Sequence, residues 1–319
     1  MRFLLAALAL AFTAPLAHGQ AFPSKPIRII VPFPPASGLD TTARLVAQKT
    51  GESTGQPVVV ENRAGANGLI GTELVARSAP DGYTVLTGTS STHASAPYIT
   101  LKLPYDPVKD FTPISNAAMT TIVISSYPGL PITSIRELID YAKKNPGKLT
   151  YSSAGVGNAL HLVGEMFKHS FGLDIVHVPY KGAGPALTAL VSGEVSMTVN
   201  GSPESAPLGR AGKIRMLALA ETQRWPGLPE VPALAEILPG YERPPGWYGF
   251  FGPAGLPQGV LARLNGEFVK ALNAPDVRTK LEAAGLVVSP GTPEQFAALL
   301  ARSMELYAQA VKIAGVRPE

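Results

Sequence analysis

The stretch "PIRIIVPFPPASGLDTTARLVAQKTG", residues 26–51, shows the pattern on which the whole fold depends. Residues 26–33 are almost all apolar and partly β-branched, which is typical of a strand buried on both faces. Residues 39–51 carry apolar side chains at helical spacing, and a turn with Pro and Gly joins the two segments. Similar strands follow at 56–62 and 83–89. This alternation predicts an α/β fold with mostly parallel sheets and helices on both faces.

Composition excludes several classes of protein. The chain has 319 residues, of which 45% are hydrophobic and 16% charged, so it can bury the cores of two lobes and is not disordered. Its net charge of +4 comes without a Lys/Arg cluster, which argues against nucleic-acid binding. The chain has no cysteine, and the four histidines beyond residue 21 form no i, i+4 pair. We therefore expect no disulfide and no metal site.

The first 21 residues, "MRFLLAALALAFTAPLAHGQA", have the pattern of a secretory signal peptide. Arg2 precedes an apolar stretch that ends near Leu16, and small and polar residues follow it. We expect cleavage after Gly19 or Ala21 and a mature protein exported to the periplasm.

A second series of strands and helices begins after "FTPISNAAMTTIVISSYPG", residues 111–129. One of its helices starts with the capping box of Ser134 and Glu137. After Glu221 the chain is rich in Pro, Gly and aromatic residues, which predicts a segment crossing back to the first lobe. The predicted division is a first lobe of residues 22–118 plus 247–319 and a second lobe of residues 119–246, with a cleft between them.

Ligands of such sheets bind beyond the carboxyl ends of the strands, where the N-termini of helices favour anions. Each lobe has a suitable loop, and neither loop contains an arginine, so neutral donors for a small carboxylate are predicted. Asp40 would cap or brace the first loop, because a carboxylate aimed at an anion would repel it. The candidate ligand contacts of the first lobe are Ala36, Ser37, Gly38 and Ser90. Those of the second lobe are Ser153, Gly155, Gly157, Asn158, His161 and Asn200.

Other interpretations remain open at several of these positions. "GVGNAL" resembles the start of a dinucleotide-binding turn, but Leu160 stands at the third glycine position, so no cofactor is expected. His161 could contact a ligand or only its local surroundings, and Trp247 and Tyr248 could pack the hinge or form a cleft wall. A secreted enzyme on the same frame, an esterase or isomerase, is the alternative function. It would need an activated nucleophile or an acid–base pair, and no Gly-x-Ser-x-Gly motif is present.

Several motifs together resemble the Bug-type periplasmic solute-binding proteins of tripartite tricarboxylate transporters. They are "FPSKPIRIIVPF", "VVVENRAGANGLIGTELVARSAPDGYT", "LPYDPVKDFTPIS", "VHVPYKGAGPALTALVSGEV", "GKIRMLALA" and "WYGFFGPAGLP". The resemblance covers nearly all of the mature chain. It implies a two-lobe type II periplasmic-binding-protein fold that closes on a small carboxylate. It also implies a receptor and not an enzyme, which delivers its ligand to membrane transport subunits, and we expect a monomer.

Two positions depart from the pattern of that family. Ala36 and Ser37 stand where a Gly-Gly pair is usual, which would narrow the first loop and add a hydroxyl group. Asn200 stands where many members have an Asp. If that Asp pairs with the ammonium group of amino-acid ligands, Asn200 argues against an amino acid here.

Overall fold

Strand β1 (Ile27–Val31) lies between β2 (Val58–Asn62) and β3 (Thr84–Thr89), and both pairs are parallel. The computed structural model describes residues 22–35 and 37–318, so the predicted signal peptide lies outside the described residues. Three more strands complete the first sheet, whose order is β11-β4-β10-β3-β1-β2. They are β4 (Phe111–Thr120), β10 (Gly246–Pro253) and β11 (Leu286–Val288).

The second sheet has the order β7-β6-β8-β5-β9. Its strands are β5 (Ile122–Ser126), β6 (Thr150–Ser153), β7 (Val176–Pro179), β8 (Met197–Gly201) and β9 (Arg215–Leu219). The helices of the first lobe are α1 (Gly38–Thr54), α2 (Leu69–Ala76), α3 (Ala96–Ile99), α8 (Gln258–Leu272), α9 (Pro275–Ala283) and α10 (Pro293–Ala314). Those of the second lobe are α4 (Ile135–Lys144), α5 (Ala159–Phe171), α6 (Ala183–Val191) and α7 (Ser202–Arg210). No helix in the described ranges has both the length and the apolar character needed to cross a membrane.

The two-lobe α/β fold is confirmed, but the sheets are mixed rather than mostly parallel. The parallel prediction holds for β1, β2 and β3 and for β6, β7 and β8. Strand β10 is antiparallel to both its neighbours, and so is β5 in the other sheet. The reason is the path of the chain. A strand that enters a lobe from the cleft must run opposite to strands whose carboxyl ends point at the cleft.

The predicted crossing segment after Glu221 is therefore only partly a connection, because "GWYGFFGP" is the central strand β10. Trp247, Phe250 and Phe251 of this strand are buried. The chain changes sheet between Thr120 and Ile122 and returns to the first sheet at Gly246. The predicted lobe boundaries at 118/119 and 246/247 fall inside β4 and β10, within two residues of these changes.

The two crossings are joined by an ion pair in which Arg243 is buried and Glu221 is half-buried. Glu221 Oε1 accepts from the backbone N–H of Ile122 at 3.0 Å and from Arg243 Nε at 3.1 Å. Arg243 also donates from Nη2 to the carbonyl of Thr120 at 2.7 Å, and only 6% of this residue is exposed. The pair of Arg243 and Glu221 thus connects the end of β4, through Arg243, and the start of β5, through Glu221, to the returning segment.

Helix α5 of the second lobe packs on α10 of the first. Leu162 and Met166 of α5 belong to the same buried apolar cluster as Tyr307 and Val311 of α10. This contact holds the start of α5, with the loop before it, opposite the first lobe.

Candidate ligand-binding site

A cavity of about 320 Å³ lies between the lobes, near the lower limit for small-molecule sites in proteins. The first lobe contributes the ends of β1 and β3, the start of α1 and the start of β10. The second lobe contributes the start of β5 and the starts of α5, α6 and α7, which follow the ends of β6, β7 and β8. Several helix N-termini therefore meet at one cavity, as the topology of the strands requires.

Ser37 forms the N-cap of α1 and lines the cavity. Its Oγ accepts from the backbone N–H of Asp40 at 3.2 Å, so its own O–H remains a donor. The first N–H groups of α1 have no partner within the helix and add further donors. Gly38 lies outside the lining, beneath Tyr248, since a Cβ on Gly38 would be 3.4 Å from the Tyr248 hydroxyl. Ala36 lies outside the described residues.

Asp40 braces this loop from behind and does not line the cavity. Its carboxylate accepts from Arg44 Nε at 2.9 Å and from Asn62 Nδ2 at 2.8 Å. Asn62 Nδ2 also donates to the carbonyl of Phe33 at 3.0 Å. The carboxylate therefore connects the start of α1 to the end of β2, and the part of this loop that lines the cavity is uncharged.

Asn158 is the corresponding N-cap in the second lobe, and it lines the cavity. Its Oδ1 accepts from the N–H of Leu160 at 2.9 Å, which leaves its amide NH₂ group as a donor. Gly155 and Gly157 have φ values of +129° and +73° and do not line the cavity. Their role is to give the loop a backbone conformation that other residues rarely adopt.

Ser153 and His161 support this loop rather than line the cavity. The Ser153 hydroxyl is 2.7 Å from His177 Nε2, and His161 Nδ1 accepts from the N–H of Gly157 at 3.1 Å. The two imidazole rings stack with their centroids 4.1 Å apart. Burial lowers the pKa of His177 to about 4 and also lowers the pKa of His161. Both rings are therefore neutral at pH 7, as the hydrogen bond from Gly157 requires.

Asn200 and Ser90 both line the cavity, and each is also hydrogen-bonded to other residues of the protein. Asn200 donates to the carbonyl of Ala183 at 3.0 Å and accepts from the N–H of Gly201 at 2.8 Å. It thus fixes the loops before α6 and α7. Ser90 accepts from the hydroxyl of Tyr307 at 3.2 Å, so its own O–H can still be donated.

Some lining residues, among them Phe33, Leu39 and Glu204, were not among the sequence-based candidates, and two others had been left between two roles. Trp247 and Tyr248, for which hinge packing was the other possibility, both form part of the cavity wall. The indole N–H of Trp247 donates to Ser303 Oγ at 2.9 Å and is not free for a ligand. Burial and the charge of Glu204 raise the pKa of Tyr248 to about 12, so its phenol is neutral. Glu204 follows the end of β8. The rule that ligands bind beyond the carboxyl ends of strands, which identified Asn158, could therefore also have identified Glu204.

A cavity between two lobes, lined by helix N-termini, by hydroxyl and amide groups and by one carboxylate, is typical of a solute-binding receptor. The model of the tripartite tricarboxylate transporter family receptor matches residues 42–315, and the chain belongs to this family. A protein from the tcbD-tcbE intergenic region of Pseudomonas sp. strain P51 is 38% identical over 95% of this chain and 91% of its own. BugT of Bordetella pertussis is 34% identical over 93% of this chain and 92% of its own length.

Two solved structures are similar along most of the chain. Rpa4515 of R. palustris, with adipate, is 35% identical and gives a TM-score of 0.82 over 93% of this chain and all of that one. MatC (Rpa3494) of Rhodopseudomonas palustris, with bound malate, is 32% identical and gives a TM-score of 0.76 over 91% of this chain and all of the MatC chain. Family and structure together place the chain among receptors and not among enzymes.

Proposed function

We propose that this chain is a periplasmic receptor that encloses one small carboxylate between its lobes and delivers it to membrane transport subunits. The observation that carries the proposal is the pair of N-caps, Ser37 and Asn158, which face one cavity from opposite lobes. Each helix start supplies main-chain N–H groups and the positive end of a helix dipole. A carboxylate between them would be held by neutral donors on both sides.

The relatives support the choice of ligand class. Adipate and malate, found with Rpa4515 and MatC, are both small carboxylates. No Lys, Arg or His is present among the described residues that line the cavity here. A site of neutral donors suits a ligand that presents single carboxylate groups. It suits a polyphosphate less well, because binding the higher charge of a polyphosphate needs cations.

Ligand-driven closure follows from the two-sided site. A carboxylate contacts both N-caps only when the lobes are together, so it binds the closed form more tightly and shifts the population toward it. The closed form would be the one that the membrane subunits recognise, with the receptor acting as a monomer.

A thermal-melt screen of the protein from Phe22 onward tests the proposal. The protein is unfolded and refolded first to remove any retained ligand. It is then screened against mono- and dicarboxylates of four to eight carbons and against their amides. A carboxylate at a hundred times its Kd should add about 2.7 kcal/mol of stability and raise the Tm, while the amides should not. If no carboxylate raises the Tm of the ligand-free protein, the proposal is wrong.

A further inference from the structure

Glu204 is the charged side chain in the lining of the cavity. Among the described lining residues it is accompanied by hydroxyl, amide and apolar groups, and by no cation. The apolar part includes Phe33, Leu39, Leu160 and Trp247, drawn from both lobes. A bound ligand therefore has donors for one anionic group, apolar walls for its body, and a fixed negative charge nearby.

The carboxylate of Glu204 lies beside the N-terminus of helix α7. Glu204 lies in the first turn of α7, after Pro203, and its carboxylate turns back toward the end of β8. A Cβ on Gly201 would lie only 2.4 Å from Glu204 Oε2. The N-terminus of α7 therefore already has a carboxylate beside it, whereas α1 and α5 are capped by the neutral Ser37 and Asn158.

Glu204 is exposed, and its charge is not balanced by an ion pair within the described part of the chain. No Lys or Arg forms an ion pair with it among the residues that the structure describes. Tyr248 lines the same cavity from the opposite lobe, and burial first and the charge of Glu204 second raise the pKa of its phenol. The negative potential therefore extends across the cavity and would act on a ligand inside it.

We infer that Glu204 determines specificity, so that the site selects a monocarboxylate with an apolar body and rejects the dicarboxylate of the same length. This inference rests on the proposed function and narrows its ligand class. A second ligand carboxylate enclosed in about 320 Å³ would lie within several ångströms of Glu204. Solvent screens part of this charge because Glu204 is exposed, but at that range the remaining repulsion reduces affinity on the order of tenfold.

Calorimetric titration of the refolded protein with length-matched pairs, hexanoate and adipate first, tests this inference. The natural protein should bind hexanoate at least about tenfold more tightly than adipate. Glu204→Gln should improve adipate binding by about tenfold or more and change hexanoate binding by less than about threefold. The ratio of the two affinities is unaffected by any general loss of folded protein.

Glu294→Gln is the matched control, because Glu294 is also an exposed carboxylate in a first helical turn after a proline and does not line the cavity. It should leave both affinities unchanged. Tighter binding of adipate than hexanoate by the natural protein, or an unchanged ratio in Glu204→Gln, overturns the inference. So does preferred binding of 6-aminohexanoate, which would make Glu204 a partner for a ligand cation. Binding of no carboxylate by either form would instead contradict the proposed function.

Discussion

Ser37 and Asn158 each serve a helix and the cavity with one side chain. Their oxygens accept from first-turn N–H groups, at 3.2 Å from Asp40 N and 2.9 Å from Leu160 N. Their O–H and NH₂ groups remain available to a ligand. A small polar N-cap at the edge of a cavity can thus contribute to stability and to binding, and the two contributions can be separated.

Ser37→Ala should lower the free energy of unfolding by about 1 kcal/mol, the usual cost of losing an N-cap. It should also weaken carboxylate binding by about five- to tenfold, because one hydroxyl donor is lost. Ser134→Ala removes the equivalent cap of α4, where Ser134 Oγ accepts from Glu137 N at 3.2 Å. That variant should lose similar stability in urea and bind the ligand normally. Equal affinities of the two variants would show that Ser37 does not contact the ligand.

For single residues, the sequence indicated which loops lie at the cavity better than which of their residues line it. Ser37, Ser90, Asn158 and Asn200 line the cavity because they lie at or after the carboxyl ends of strands, where the topology of the sheets places ligands. Four other candidates lie in the loop before α5 or next to it and support the shape of that loop without lining the cavity: Ser153, Gly155, Gly157 and His161. Sequence spacing does not tell which way a turn points its N–H groups, so lining and supporting residues could not be separated.

At the scale of elements, the stacked pair of His161 and His177 connects α5 and β7 to the loop before α5. Tyr151 stacks on His177 at 4.7 Å, and Ser153 contacts the same ring. Glu165 and Lys168 are the charged groups that act on both imidazoles, with opposite effects on their pKa values. Burial outweighs these charges and keeps the rings neutral.

The free energy of unfolding should therefore fall as the pH decreases from about 6.5 to about 4. In that range the unfolded chain protonates His177, while the folded protein, with the pKa of this histidine lowered to about 4, does not. His177→Gln should flatten the dependence of Tm on pH, and His169→Gln, at an exposed position of the same α5, should not. Identical slopes for all three proteins would contradict this account. Buried His93, whose pKa is lowered to about 3, contributes equally to each.

The parallel strands and most of the helices could be predicted from the sequence, whereas β4, β5, β10 and β11 were not predicted as strands. Strand β10 shows why. Its glycines make "GWYGFFGP" look like a loop, yet they are needed because other side chains occupy their space. A Cβ on Gly249 would lie 2.1 Å from Phe296 Cζ, and one on Gly252 would lie 2.3 Å from Leu256 Cδ1. The glycine content of this strand thus records how closely α10 and the following turn pack against it, which composition does not reveal.

For the whole molecule, the ion pair of Arg243 and Glu221 fixes the two crossings on which any movement of the lobes depends. Thr120 and Ile122, on either side of the first crossing, are both hydrogen-bonded to this pair. The returning segment carries Arg243 itself. Any movement of one lobe against the other would therefore turn about this connection.

Arg243→Ala should lower the free energy of unfolding by about 3–5 kcal/mol, because it leaves the Glu221 carboxylate without its buried partner. Arg224→Ala breaks the pair with Glu236, whose side chains are about half exposed, and should leave stability nearly unchanged. Urea unfolding of the two variants measures the difference. Similar midpoints would show that the pair of Arg243 and Glu221 does not hold the crossings together.

The capped starts of α1 and α5 also bear on how such receptors diverge after gene duplication. Main-chain N–H groups persist through almost any substitution, so a duplicated copy keeps its hold on an anion while its lining side chains change. Replacing Phe33, Leu39, Leu160 or Glu204 one at a time would then change the shape or the charge of the cavity without removing these donors. New transport specificities can arise in this way by single steps that never pass through a receptor unable to bind anything.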